Sequence, residues 1–261
     1  MPHAPISLAY ALSGLVVGFL VGLTGVGGGS LMTPLLVLLF RIHPATAIGT
    51  DLLYAATTKT AGTLVHGVIG TVEWRLVALL SAGSVPGTLA TLWALSAMGP
   101  LNHATGHLLS VVLGFALLLT AASLVLRDWL MRWAERRNLV PGGRRATMLT
   151  VILGAYLGVF VTISSVGAGA IGVTALILLY PKLPTARVVG SDIAHAVPLT
   201  LIAGLGHWWI GSVDWRLFLS LIAGSIPGVI AGSLIGTRIS EKLLRPALAA
   251  ILTLVGIKLL S

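Results

Sequence analysis

Cysteine is absent from this 261-residue sequence, and charge is scarce: Asp, Glu, Lys and Arg together make up 9% of it. The first absence excludes disulfides, thiolate nucleophiles and thiolate metal sites. The second excludes a soluble domain, whose solvated surface needs roughly 25% charged residues. No Lys or Arg precedes the first apolar run, in Met1-Pro2-His3-Ala4-Pro5-Ile6, so the first segment is expected to be a retained span and not a cleaved signal peptide. Paired histidines at metal spacing, such as H-E-x-x-H, are missing too. The chain is therefore read as a non-enzyme with no catalytic residue, no metal site and no cofactor.

What is present is apolar. Hydrophobic residues form 56% of the chain and its mean hydropathy is +1.02, so most of the surface must face lipid. The net charge of +9 does not imply a nucleic-acid partner. The basic residues lie mostly between apolar segments, where retention of loops on the cytoplasmic side accounts for them. Expected partners are the lipid bilayer and a small anionic solute, with homo-oligomerisation left open.

Ten apolar stretches are predicted as helical segments: 5–23, 29–41, 45–65, 73–97 and 104–126, then 146–163, 168–181, 187–207, 214–237 and 243–260. The stretches at 29–41 and 168–181 are short for a crossing, and each follows a Gly-rich break. Between the two sets, 127–145 carries Arg127, Arg132, Arg136, Arg137, Arg144 and Arg145 against Asp128 and Glu135. It is expected to be a cytoplasmic linker between a first repeat, 1–126, and a second, 146–261.

The halves are copies. His66-Gly67-Val68-Ile69-Gly70-Thr71-Val72-Glu73-Trp74-Arg75-Leu76 returns as His207-Trp208-Trp209-Ile210-Gly211-Ser212-Val213-Asp214-Trp215-Arg216-Leu217. Gly83-Ser84-Val85-Pro86-Gly87 returns as Gly224-Ser225-Ile226-Pro227-Gly228, and Gly49-Thr50-Asp51 as Gly190-Ser191-Asp192. The run Gly25-Val26-Gly27-Gly28-Gly29 aligns with Ser165-Val166-Gly167-Ala168-Gly169. A duplicated apolar chain with short broken segments at matching places predicts an all-α, polytopic transporter bundle of two homologous halves. Five crossings per half make the repeats inverted; four would make them parallel. The charge distribution favours inversion.

Several residues are candidates for chemistry. The breaks offer Thr24, Gly27, Gly28, Gly29 and Ser30, and in the second half Ser164, Ser165, Gly167 and Gly169. Either they bind an anion with backbone N–H groups and hydroxyls at a helix start, or they are tight turns of small residues. Lys59 shares a helical stripe with Asp51, Thr58, Gly62 and His66. It is an anion-binding cation, a partner of Asp51, or a lysine reaching the nearer interface. Its counterpart is Thr200, so one cation would serve one anion. Asp51 and Asp192 cap their helices or carry protons. His66, His207 and the additional His195, whose counterpart is Tyr54, extend the second option. Pro86-Gly87 and Pro227-Gly228 are expected to kink or break their helices as hinges. Trp74 and Trp215 are expected to anchor at the membrane interface.

These motifs, taken in their doubled arrangement across nearly the whole chain, resemble the TauE/SafE family of sulfite and organosulfonate exporters. The resemblance implies a bacterial-type inner-membrane permease for small anions, often sulfur oxyanions. Ala168 opposite Gly28 and Thr200 opposite Lys59 depart from the first half, so a cationic site carries over only there. The expected function is export of a sulfite- or sulfonate-like anion by a secondary transporter, with proton coupling through Asp51 or Asp192. The alternatives are a passive anion channel and a non-transporting membrane subunit of a complex.

Overall fold

The computed structural model describes residues 7–24, 31–68, 70–98, 103–136, 143–236 and 241–261. Its elements are α1 (Leu8–Thr24), α2 (Met32–Leu38), α3 (Pro44–Val68), α4 (Trp74–Ala97), α5 (His103–Arg136), α6 (Gly143–Ser164), α7 (Ala170–Leu179), α8 (Thr185–Trp209), α9 (Trp215–Gly236) and α10 (Glu241–Leu260). No strand occurs among the described residues. Among the described residues, five helices are long and apolar enough to cross a membrane, namely α4, α5, α6, α8 and α9; α1 and α7 are shorter apolar helices. The chain is a multi-pass, all-α membrane protein.

Local sequence explains where helices stop. The recurring His-x-x-x-Gly-Thr/Ser motif is a helix end. Gly70 and Gly211 adopt φ of 73° and 82°, a left-handed conformation that glycine takes without a Cβ penalty. Thr71 N–H then reaches the His66 carbonyl at 3.0 Å while Gly70 N–H reaches Gly67. Ser212 N–H to His207 O, at 2.8 Å, and Gly211 N–H to Trp208 O repeat the pattern. These paired bonds satisfy the last free carbonyls of α3 and α8. The next helix begins at once, and in the second half Asp214 Oδ1 caps it by accepting from Arg216 N and Leu217 N.

Two expectations change. Helix α5 runs to Arg136, through the first part of the expected linker. No Gly or Pro interrupts 127–136, and Trp129 stacks on Trp133 at 6.4 Å along this extension. Only 137–142 of the linker lies outside the described residues. The second change concerns proline. Pro86 and Pro227 break neither helix; α4 and α9 continue through them, as α8 does through Pro198 and α10 through Pro246. Each proline removes one N–H, and helices packed in a membrane bundle tolerate that where neighbours compensate.

The two halves interlock. Helix α1 packs along α9, and its counterpart α6 packs along α4. Both pairs run parallel: Gly14 lies against Leu221 and Gly18 against Ser225, while Gly154 lies against Leu80 and Gly158 against Ser84. A Cβ at Gly83 or Gly224 would collide with the backbone carbonyl of Val151 or Ala11, so small residues set how near the helices come. By contrast, equivalent helices pair antiparallel. Along α3 and α8, Gly49 meets His207, Leu53 meets Gly204, Gly62 meets Ile193 and His66 meets Gly190. Along α5 and α10, Gly114 meets Leu260, Leu118 meets Gly256, and Asp128 meets Arg245 at 3.8 Å.

Helices α3 and α8 occupy the middle. Residues 47–56 of α3 are buried without interruption, which is how a helix carrying Asp51 and Lys59 avoids lipid. Helices α2 and α7 have 7 and 10 residues, or about 10 and 15 Å, against a hydrocarbon core of about 30 Å. They lie beside α3 and α8 respectively as half-length pieces inside the bundle.

Candidate functional site

The site is built on α3 and α8 where the half-length helices meet them. Asp51, two turns into α3, is fully buried. Its Oδ2 accepts from Thr33 N at 3.2 Å, Thr33 Oγ1 at 2.5 Å and Ser165 Oγ at 3.0 Å. One carboxylate thus ties α3 to the start of α2 and, across the halves, to the break after α6. Asp51 Oδ1 is buried with no hydrogen-bond partner among the described residues.

The second-half break is buried within protein from 164 to 168, the setting in which non-helical backbone survives at membrane depth. Ser164 Oγ donates to Phe160 O at 2.7 Å and accepts from Val166 N at 3.2 Å. Ser165 has φ of 59° and Gly167 of 107°. A serine in the left-handed region is uncommon, and here its hydroxyl is turned onto Asp51. Gly167 and Gly169 lead into α7, with Gly169 as the residue before its first turn. In the first-half break, Thr24 ends α1; Gly27, Gly28, Gly29 and Ser30 lie outside the described residues.

Asp192 is the counterpart of Asp51, yet it is held differently. It is 1% exposed, lies against Gly172 of α7, and its Oδ1 has no hydrogen-bond partner among the described residues. Val173 stands where α2 has Thr33, and Gly25 where the second break has Ser165, so neither counterpart position offers a hydroxyl. What acts on Asp192 instead is Lys59. The half-buried ammonium interacts electrostatically with both carboxylates, more strongly with Asp192 than with Asp51. The opposite position, Thr200, is buried and donates to Ala196 O at 2.7 Å.

The His195 and Tyr54 mismatch has a structural meaning that the sequence reading did not supply. His195 Nε2 pairs with Ser84 Oγ at 2.9 Å, and Tyr54 OH pairs with Ser225 Oγ at 2.6 Å. Ser84 and Ser225 are themselves repeat counterparts, so the same serine position is bonded twice, by different partners. His195 Nδ1 remains buried without a partner among the described residues, and Lys59 also acts on this ring. His66 and His207 sit apart. His66 Nδ1 contacts Thr71 Oγ1 at 2.8 Å, and His207 Nε2 contacts Thr162 O at 3.0 Å. Both secure the ends of their helices, and His207 also lines a largely apolar cavity of about 170 Å³ with Thr91 and Ser212.

A further repeated pair holds the loops. Glu73 N donates to Ser191 Oγ at 2.8 Å, and Asp214 N to Thr50 Oγ1 at 3.1 Å. The hydroxyl in each Gly-Thr/Ser-Asp motif therefore secures the turn that follows the antiparallel partner helix in the opposite half. Trp74 and Trp215, the first residues of α4 and α9, are 62% and 43% exposed, in keeping with interfacial anchoring.

Comparison with known proteins places this arrangement. The family model described as "Sulfite exporter TauE/SafE" matches residues 10–259. "Probable membrane transporter protein YjnA" of Bacillus subtilis (strain 168) is 38% identical over 257 residues, covering 97% of this chain and 100% of that protein. A "Probable membrane transporter protein" of Xylella fastidiosa (strain Temecula1) is 28% identical, with 87% and 84% covered. "Probable membrane transporter protein MJ0441" of Methanocaldococcus jannaschii is 24% identical, with 95% and 92% covered. No solved structure gives a significant match.

Proposed function

The chain belongs to the TauE/SafE family of membrane transporters, and on that premise we propose that it exports a small oxyanion, sulfite- or organosulfonate-like, across the inner membrane. The observation that carries this reading is Lys59: an ammonium on a buried helix, within electrostatic reach of Asp192 and Asp51, with no cation at its counterpart Thr200. A charge placed there is costly to keep without a purpose. The family description names sulfite, and an oxyanion suits an ammonium with hydroxyls nearby.

Charge counting makes the cycle proton-linked. With both carboxylates ionised, Lys59, Asp51 and Asp192 sum to −1 and repel an anion. Protonating one carboxylate brings the sum to zero, and the anion then takes the ammonium that the carboxylate gives up. Asp192 is assigned this role, because Asp51 is committed to Thr33 and Ser165. An uncompensated anion leaving an inside-negative cell gains about 2.3 kcal/mol per charge per 100 mV. One proton carried with a monovalent anion cancels that gain, and flux follows the solute and pH gradients.

The antiparallel pairing of α3 with α8 and α5 with α10 supports two inverted repeats, 1–126 and 146–261, about an axis in the membrane plane. The arginines of 127–145 support a cytoplasmic linker and external termini. Alternating access then consists of one half rocking on the other about the α3–α8 centre, with α4 and α9 flexing at Pro86-Gly87 and Pro227-Gly228.

The test is counterflow in liposomes containing the purified protein. Sulfite, thiosulfate, sulfoacetate, sulfate and acetate are offered with and without a pH gradient. Saturable exchange of a sulfur oxyanion is expected. Exchange of none of them sinks the proposal, and flux linear in concentration without counterflow identifies a channel.

A further inference from the structure

A second cavity, of about 490 Å³, opens where the start of α4, the start of α6 and the turn from α7 to α8 converge. Its walls are apolar, with Leu76, Leu79, Leu179 and Leu183, and its rim carries Arg75 and Lys182. Neither cation makes an ion pair among the described residues. Glu73, the acid on the same rim, is engaged by Arg187 at 3.4 Å, so the rim keeps a surplus of positive charge. The wall is fixed by Thr150 Oγ1 and Tyr180 OH at 2.7 Å.

We infer that this cavity binds one anionic phospholipid, its phosphate at Arg75 and Lys182 and its glycerol and upper acyl chain along the leucines. Three observations select a lipid over a free anion. Trp74, beside Arg75, is 62% exposed at the head of α4 and marks the depth of the headgroup layer. The volume is many times the roughly 30 Å³ share of one water, so a bare oxyanion would leave it largely empty. The walls offer a solvated ion nothing, whereas they suit a chain whose head is held by two cations. Basic pockets between spanning helices recognise anionic headgroups by this combination. The position also has a mechanical meaning: the lipid would bridge α4 and α6, the tightly packed parallel pair, to the half-length α7.

Native mass spectrometry of the full chain in mild detergent tests this. Phosphatidylglycerol, phosphatidylcholine and glycerol phosphate are offered to the wild type and to Arg75→Gln/Lys182→Gln. The wild type should retain phosphatidylglycerol over phosphatidylcholine by roughly thirtyfold, the worth of two interfacial cations. The preference should vanish in the double variant. Retention by the wild type should also fall steeply with added salt, a readout that needs no variant to fold. Equal retention by wild type and variant overturns the inference. So does a flat salt dependence, or glycerol phosphate bound as tightly as the lipid.

Discussion

Lys59 and the two carboxylates form an unequal trio, and the inequality comes from single hydroxyls. Thr33 and Ser165 occupy Asp51, while their counterparts Val173 and Gly25 leave Asp192 to Lys59. Lys59→Ala should reduce anion counterflow by about ten- to a hundredfold, as expected from losing one charge-assisted contact of about 1.5–3 kcal/mol, with unchanged yield and thermal unfolding. Wild-type flux would remove the cation from the mechanism. Asp192→Asn cannot take up a proton in this way, so its exchange should no longer slow as pH rises; a pH profile parallel to the wild type's would move coupling elsewhere. Thr33→Val should leave the pH profile in place but cost about 1 kcal/mol of stability, read as a lower unfolding temperature. The charged members of this cluster were legible in the sequence because a charge stands out in an apolar run. Thr33 and Ser84 were not. Hydroxyls commonly bond their own helix, and these two find partners 18 and 111 residues away.

At the scale of elements, the sequence showed the half-length helices and the approximate place of the long spans, although α5 runs ten residues past its expected end. It did not show that Pro86 and Pro227 leave their helices unbroken, because continuity depends on neighbours that only the packed bundle supplies. Nor did it show which helices pair. The glycines Gly14 and Gly18 of α1 and Gly154 and Gly158 of α6 are themselves repeat counterparts. That signal was present, but it named no partner until Leu221 and Leu80 were seen against them. Gly224→Leu should therefore force α1 away from α9, since its side chain would start inside the Ala11 carbonyl. Overpacking of this kind costs typically about 1–3 kcal/mol, so the variant should unfold at lower temperature. Gly67→Ala meets nothing within 4 Å and should behave as wild type in the same melt. An unaltered melt for Gly224→Leu would show that the α1–α9 contact does not hold the bundle.

For the whole molecule, inversion makes a prediction that the absence of cysteine renders easy to check. Single variants Glu73→Cys and Asp214→Cys sit at equivalent turns of the two halves, before α4 and α9. An impermeant thiol reagent applied to intact cells should label Asp214→Cys and spare Glu73→Cys, with the order reversed in inverted vesicles. Labelling of both from one side would make the repeats parallel. The crossed pairing of α1 with α9 and α6 with α4 also bears on how the chain is made. When α1 leaves the ribosome, the helix it will lie against is not yet synthesised; Ser7 finally bonds Ser220, 213 residues later. The first half must wait in the bilayer with its glycine-lined groove uncovered. Contacts this distant in sequence form late, so completion of α9 is the event that commits the molecule. Neither half expressed alone should survive quality control, while two halves severed within 137–142 and made together should find each other.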